Sequence, residues 1–259
     1  MKRKLFFLLL CLLNINGFSK CAYDGISFWP KGKTIRANSI LVITGYGGSQ
    51  HIIDSLNTKY SIYLKTGNKK IKLSVRETLK SEFHLTQAVL VPEEKLIPGL
   101  DYKVCIDRLT EHNLLEQWDA GSNTRKPFSW IAVADKTADA PAWISQPSVL
   151  KNTFCMFGCG PEVFVHLGFS VRDTSDFLIK TTVTNETTKK STTYYLSPEK
   201  SKTEVLLGHG MCSGAFNLEL NGAYEASFSL MDITGRSTAQ ATPNIQFKAP
   251  GKGDRPGGE

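Results

Sequence analysis

Along most of this chain apolar and polar residues alternate with a period of two, and the 3.6-residue period of a helix is nearly absent. Ile71, Leu73 and Val75 interleave with Lys70, Lys72, Ser74 and Arg76. Tyr102, Val104 and Ile106 interleave with Lys103, Cys105 and Asp107. Residues 40–43 are apolar throughout, a continuous run that suits a central strand. Residues 60–64, 88–91 and 130–133 fill out a set of about seven short strands. In the second half Val163, Val165, Leu167 and Phe169 repeat the pattern. So do Phe216, Leu218 and Leu220, and then Tyr224, Ala226, Phe228 and Leu230. Short strands parted by turn residues every ~8–12 positions predict an all-β chain of two tandem immunoglobulin-like Greek-key sandwiches. The spacing places them at residues 20–140 and 141–250, parted near Pro141, with one helical turn over residues 48–56. The glycine- and proline-rich tail, residues 251–259, is expected to be disordered.

Two turns sharpen this expectation. Leu96-Ile97-Pro98-Gly99-Leu100-Asp101-Tyr102 and Leu220-Asn221-Gly222-Ala223-Tyr224 each join an apolar residue, a glycine turn and a tyrosine entering an alternating strand. That order predicts a tyrosine corner at Tyr102 and another at Tyr224, each phenol bonding back across its turn.

The N-terminus adds a compartment. Met1-Lys2-Arg3-Lys4, an apolar run over residues 5–13 and a short polar segment to Ser19 have the order of a secretory signal peptide, residues 1–19. The apolar run is much shorter than the ~20 residues of a spanning helix, so no transmembrane span is expected. Cleavage after Ser19 or after Cys21 both leave small residues at the recognised positions. A lipid anchor at Cys21 is the third option, and Lys20 directly before the cysteine disfavours it. The protein is therefore expected to be exported to the periplasm, cell envelope or extracellular space. Losing Lys2, Arg3 and Lys4 takes the net charge from +7 to +4, with the basic residues spread along strand faces, which argues against a nucleic-acid partner.

Export gives the cysteines a meaning. Cys11 leaves with the leader, and Cys21, Cys105, Cys155, Cys159 and Cys212 then face an oxidising compartment where disulfides are the default. Cys159 or Cys155 is expected to bond to Cys212, and a Cys159–Cys212 bridge would close a loop of about fifty residues and stabilise by ~3–4 kcal/mol. Cys21 with Cys105 is the second candidate pair. The rival reading gathers Cys155, Cys159, His209 and Cys212 into a zinc or redox site, for which the residue types are right.

Pro30-Lys31-Gly32, Asn38-Ser39-Ile40, Leu90-Val91-Pro92 and the run from Leu96 to Tyr102 resemble the bacterial immunoglobulin-like domain of surface-layer and envelope proteins, over residues 25–135. The second half is more loosely similar to fibronectin type III and immunoglobulin-like sandwiches. The resemblance implies a fold shared by many roles and no chemistry of its own.

No cofactor fingerprint and no acid/base pair stands out. Gly45-Tyr46-Gly47-Gly48-Ser49-Gln50 follows a strand but lacks the Gly-Lys-Ser/Thr ending of a phosphate loop, and is expected to present Tyr46 and Gln50 to a partner. Trp118, in a polar stretch, is the other expected contact. The sequence thus favours a non-catalytic envelope protein acting as a structural, adhesion or binding module with an unidentified protein or glycan partner. A metal-handling or redox protein and a hydrolase are the alternatives.

Overall fold

The computed structural model describes residues 24–109, 115–135, 140–172, 176–199, 203–241 and 243–254. The strand expectation holds for the fold class: nearly every element is β. The first set of strands is β1 (Gly25–Trp29), β2 (Thr34–Arg36), β3 (Leu41–Tyr46), β4 (Ile62–Thr66), β5 (Lys69–Lys80), β6 (Leu85–Pro92), β7 (Asp101–Ile106) and β10 (Ser129–Val133). They hydrogen-bond in the order β1-β3-β6-β5-β4-β7-β10-β2. The ladder is continuous because β5 serves both sheets. Its first residues pair with β4, and the stretch from Leu73 onward pairs with β6 past a bulge between Val75 and Glu77. A bulge adds twist and lets the strand bend from one sheet into the other. The N-terminal segment is likewise divided, β1 pairing antiparallel with β3 and β2 parallel with β10. Between them lies a core that includes Leu41, Ile43, Ile62, Leu64, Ile71, Leu73, Tyr102 and Trp130.

The helical turn expected over residues 48–56 is α1 (Gln50–Asp54), entered through a tight turn at Gly47–Ser49. Its Ile52 and Ile53 are buried in the same core.

The second set is β11 (Ala142–Phe157), β12 (Gly160–Arg172), β13 (Phe177–Asn185), β14 (Ser191–Leu196), β15 (Glu204–His209), β16 (Ala223–Asp232) and β17 (Ile245–Lys248). One sheet runs β11-β12-β15 and the other β14-β13-β16-β17, around a core that includes Val165, Leu167, Phe216 and Phe228. Residues 216–220, expected as a strand, form an irregular crossing instead. Phe216 and Leu218 point into the core as the alternation requires, but the backbone N–H groups of the intervening and following residues go elsewhere. Asn217 N–H donates to the Glu82 carboxylate and Glu219 N–H to the Tyr224 hydroxyl. Alternation reports one buried face; it does not guarantee a neighbouring strand.

The outer face of β1-β3-β6-β5 packs on β14-β13-β16, making a third apolar cluster of Trp29, Ile40, Val42 and Val89 with Leu178, Tyr195, Met231 and Ile233. This explains why residues 40–43 are apolar on both faces. Polar contacts frame the cluster. Ile40 N–H donates to Ile233 C=O at 2.9 Å, and the Tyr195 hydroxyl donates to Glu77 Oε1 at 2.6 Å. Lys180 Nζ reaches Glu77 Oε2 at 3.1 Å. β14 is an edge strand, and the outward backbone of Tyr195 is met by the Gln87 amide: Tyr195 N–H to Oε1 at 3.1 Å and Nε2 to Tyr195 C=O at 3.2 Å. A side chain here acts as a neighbouring strand would.

Candidate functional site

Between Leu115 and Phe128 the chain leaves the main sheets as a two-stranded arm, β8 (Glu116–Asp119) and β9 (Thr124–Pro127). Its turn is organised by Asp119. One carboxylate oxygen accepts Gly121 N–H at 3.1 Å, and the other accepts the Ser122 hydroxyl at 3.1 Å and the Lys126 ammonium. The Lys126 contact first, then these two hydrogen bonds, hold the Asp119 carboxyl down at about 2. The arm is therefore pinned at its tip by groups that are charged at neutral pH.

Trp118 sits on this arm, opposite Arg125 in the ladder and 60% exposed. Beside it on β10 lies Ile131, 47% exposed, because Trp130 and Ala132 take the inward phase. The two are the large apolar side chains lining a cleft of about 570 Å³. Its rim carries Lys31, Lys33, Asp101, Gln117, Asp119 and Ser129. An open indole face ringed by donors and acceptors of both signs can hold a ligand that is apolar on one face and polar at its edges. Sequence reasoning reached Trp118 but not its companions. Ile131 was legible from its phase; the approach of Lys31 and Lys33 depends on tertiary structure alone.

Tyr46 and Gln50 are half-buried rather than presented. The Tyr46 ring lies directly over Gly25, where a Cβ would meet its hydroxyl. Gln50 is spent on Gly47 C=O at 3.0 Å and on the Thr86 hydroxyl at 3.3 Å. The glycines let the chain turn sharply into α1 instead of extending a loop.

Both corner tyrosines are buried, and each hydroxyl accepts the N–H of the residue five positions earlier: Ile97 to Tyr102 at 2.9 Å and Glu219 to Tyr224 at 2.8 Å. The first turn needs Gly99, whose φ of +88° strains any residue with a Cβ.

The cysteines depart from the expected pairing. Cys105, Cys155 and Cys159 are thiols. Cys212 is disulfide-bonded. The Cys159–Cys212 and Cys21–Cys105 bridges are thus not formed. Cys105 faces outward from β7 opposite Tyr63, and Cys21 itself lies outside the described residues. Nor do Cys155, Cys159, His209 and Cys212 gather round a cation: among the described residues no group of three or more His, Cys, Asp or Glu side chains does. His209 is buried, its ring 4.6 Å from that of Phe83 and its Nδ1 2.9 Å from Gly210 C=O. It packs where the two sandwiches meet.

One arrangement had no sequence signal. Glu204 contacts His166 Nδ1, and His166 Nε2 lies 3.1 Å from the Thr153 hydroxyl. The three residues come from β15, β12 and β11 and form a polar row across one sheet. An acid–imidazole–hydroxyl row has the connectivity of a nucleophilic triad. None of the three described cavities is lined by these residues.

No protein-family model matches the chain, and no curated protein does. The likeness of residues 25–135 to the bacterial envelope domains therefore rests on the quoted motifs alone. Among solved structures the chain is similar to the tandem immunoglobulin repeats of Dlar, at 10% identity over 88% of this chain and 96% of that one, with a TM-score of 0.24. It is similar to a marsupial T cell receptor, at 13% identity over 87% and 95%, with a TM-score of 0.21. It is also similar to pullulanase type I from Bacillus subtilis, at 10% identity over 86% of this chain and 24% of that one, with a TM-score of 0.26. The chain thus spans about a quarter of the pullulanase's length. At these values the likeness carries no argument, and the all-β fold rests on the strands and their pairing.

Proposed function

We propose that this protein is a non-catalytic binding module, exported and displayed at the cell envelope, that holds an oligosaccharide in the cleft of Trp118. The observation that carries the reading is the pairing of a 60% exposed indole with a rim of mixed charge on a pinned arm. A sugar ring offers a face of polarised C–H groups to the negative face of an indole and a girdle of hydroxyls to surrounding donors and acceptors. A protein partner would more often be met by a contiguous apolar patch with charged groups only at its edge. Export rests on the leader, residues 1–19. The row of Thr153, His166 and Glu204 is read as cross-strand support between β11, β12 and β15.

A glycan array followed by calorimetry tests this with the secreted protein. Binding to one glycan class is expected, and Trp118→Ala should weaken it by about 2 kcal/mol, some thirtyfold. The variant should keep the wild-type urea midpoint, since the indole supports no core. Failure to bind any glycan, or binding that survives Trp118→Ala unchanged, would exclude the cleft as the site.

A further inference from the structure

A second cavity, of about 270 Å³, lies where β14 and β15, the facing edges of the second sandwich's sheets, meet the outer face of β1, β3 and β6. Its walls are chiefly apolar, with Val42, Leu85, Phe164 and Leu178 among them. At roughly 30 Å³ for each water it has room for about nine, and a dry cavity of about 150 Å³ already admits benzene. Space of this kind between two packed units is a common place for a small ligand.

Tyr194 lines the cavity and is only 4% exposed. Its hydroxyl has no hydrogen-bond partner. The Thr44 hydroxyl interacts with it outside hydrogen-bonding geometry and already accepts from Gln87 Nε2 at 3.3 Å. Buried hydroxyls are nearly always satisfied, so an orphaned one on a residue of the cavity wall points to something that accepts from it. Burial raises the phenol's pKa, which keeps it protonated and a donor. At the mouth lie the exposed Ser197 and Lys31, and Lys31 makes no ion pair among the described residues.

We propose that this cavity binds a small organic carboxylate of roughly a dozen non-hydrogen atoms, its apolar body against Leu178 and Phe164 and its polar atoms taken by Tyr194 and Lys31. An unpaired ammonium at the mouth and a neutral donor inside select an anion over a neutral or cationic molecule of the same shape. Apolar walls select a ring or branched chain over a bare inorganic anion.

The test uses the whole secreted protein and a panel of monocyclic and branched carboxylates led by 4-hydroxybenzoate, each beside its neutral methyl ester. Thermal shift and saturation-transfer NMR are read at about 10 mM, well above a millimolar dissociation constant. At least one acid should raise Tm and show transfer, with its ester markedly weaker. Tyr194→Phe should fold with unchanged or higher Tm when empty, because the hydroxyl it removes has no partner. It should lose about tenfold in affinity for that acid, the worth of one hydrogen bond. Lys31→Gln should lose a similar factor and abolish the preference for acid over ester. If no acid in the panel shifts Tm or shows transfer, or if acids bind both variants as they bind the wild type, the cavity holds solvent only and the proposal fails. Glycan binding by Tyr194→Phe should be unchanged, so the fate of the Trp118 cleft is read separately.

Discussion

Gln87→Ala should loosen the junction of the two sandwiches more than any single apolar truncation at its rim. Gln87 is 5% exposed and Tyr195 is 3% exposed, so neither has ready access to water. Truncation strands the Tyr195 N–H and C=O, each costing about 1–3 kcal/mol when left unmade in a buried place. Allowing one to recover a water gives a loss of about 2–4 kcal/mol, a large part of the 5–15 kcal/mol typical of a whole protein. Thr44→Val is the control: it removes only the bond from Gln87 Nε2, about 1 kcal/mol. Urea unfolding followed by far-UV circular dichroism and by tryptophan fluorescence measures both. Gln87→Ala should lower the midpoint and separate the two probes, because Trp29 is buried at the junction and reports its opening. A loss under about 0.5 kcal/mol, or one no larger than that of Thr44→Val, would mean that the amide does not carry the edge of β14.

Tyr102→Phe and Tyr224→Phe should each cost about 1 kcal/mol in urea midpoint, the worth of one neutral hydrogen bond, and should add, since they lie in separate cores; strong non-additivity would refute this. Burial alone would raise the Glu77 carboxyl, but hydrogen bonds from Tyr195 and Lys180 outweigh it and hold Glu77 below 4.5. Asp232 is held below 3.8 against its own burial by Thr234 and Arg236. Each group binds its proton more weakly folded than unfolded, so its contribution is complete above those ordinary values and is lost as pH falls through the depressed ones. The urea midpoint should therefore drop below about pH 4.5, and less steeply in Glu77→Gln; equal slopes would remove Glu77 from the account. Alkylation of the denatured, unreduced protein should label Cys105, Cys155 and Cys159 and spare Cys212; label on Cys212 in peptide mass spectrometry would overturn that assignment.

The sequence carried the strands because burying one face of a sheet forces a two-residue period, and it carried both corner tyrosines because a glycine turn and a phenol lie within one local run. Trp118 was legible for the same local reason, an aromatic residue stranded among polar ones. What stayed hidden depended on distant segments. The alternation at Phe216 and Leu218 is real, but the hydrogen bonds that would complete a strand are drawn off by Glu82 and Tyr224. The apolar residues 40–43 read as a central strand, and nothing in them named β13 and β16 as the cover of a second face. The cysteines misled because a compartment makes disulfides favourable while geometry alone selects the pairs. Gln87 and Tyr194 gave no warning: one acts through a backbone more than a hundred residues away, the other through a cavity that exists only after the sandwiches meet.

The double membership of β5 also sets an order of assembly. Strands β4, β5 and β6 are consecutive in the chain and pair with one another in turn, so their loops close at small entropic cost and they can form a meander before much else is in place. Because β5 is shared, that early meander already contains a piece of each sheet and the bend between them. The parallel pairing of β2 with β10 joins positions nearly a hundred residues apart and must wait. The transition state is then expected to be structured around Leu64, Leu73 and Leu90, with β1, β2 and β10 still loose. A truncation in β5 would slow folding, whereas one in β2 would chiefly hasten unfolding.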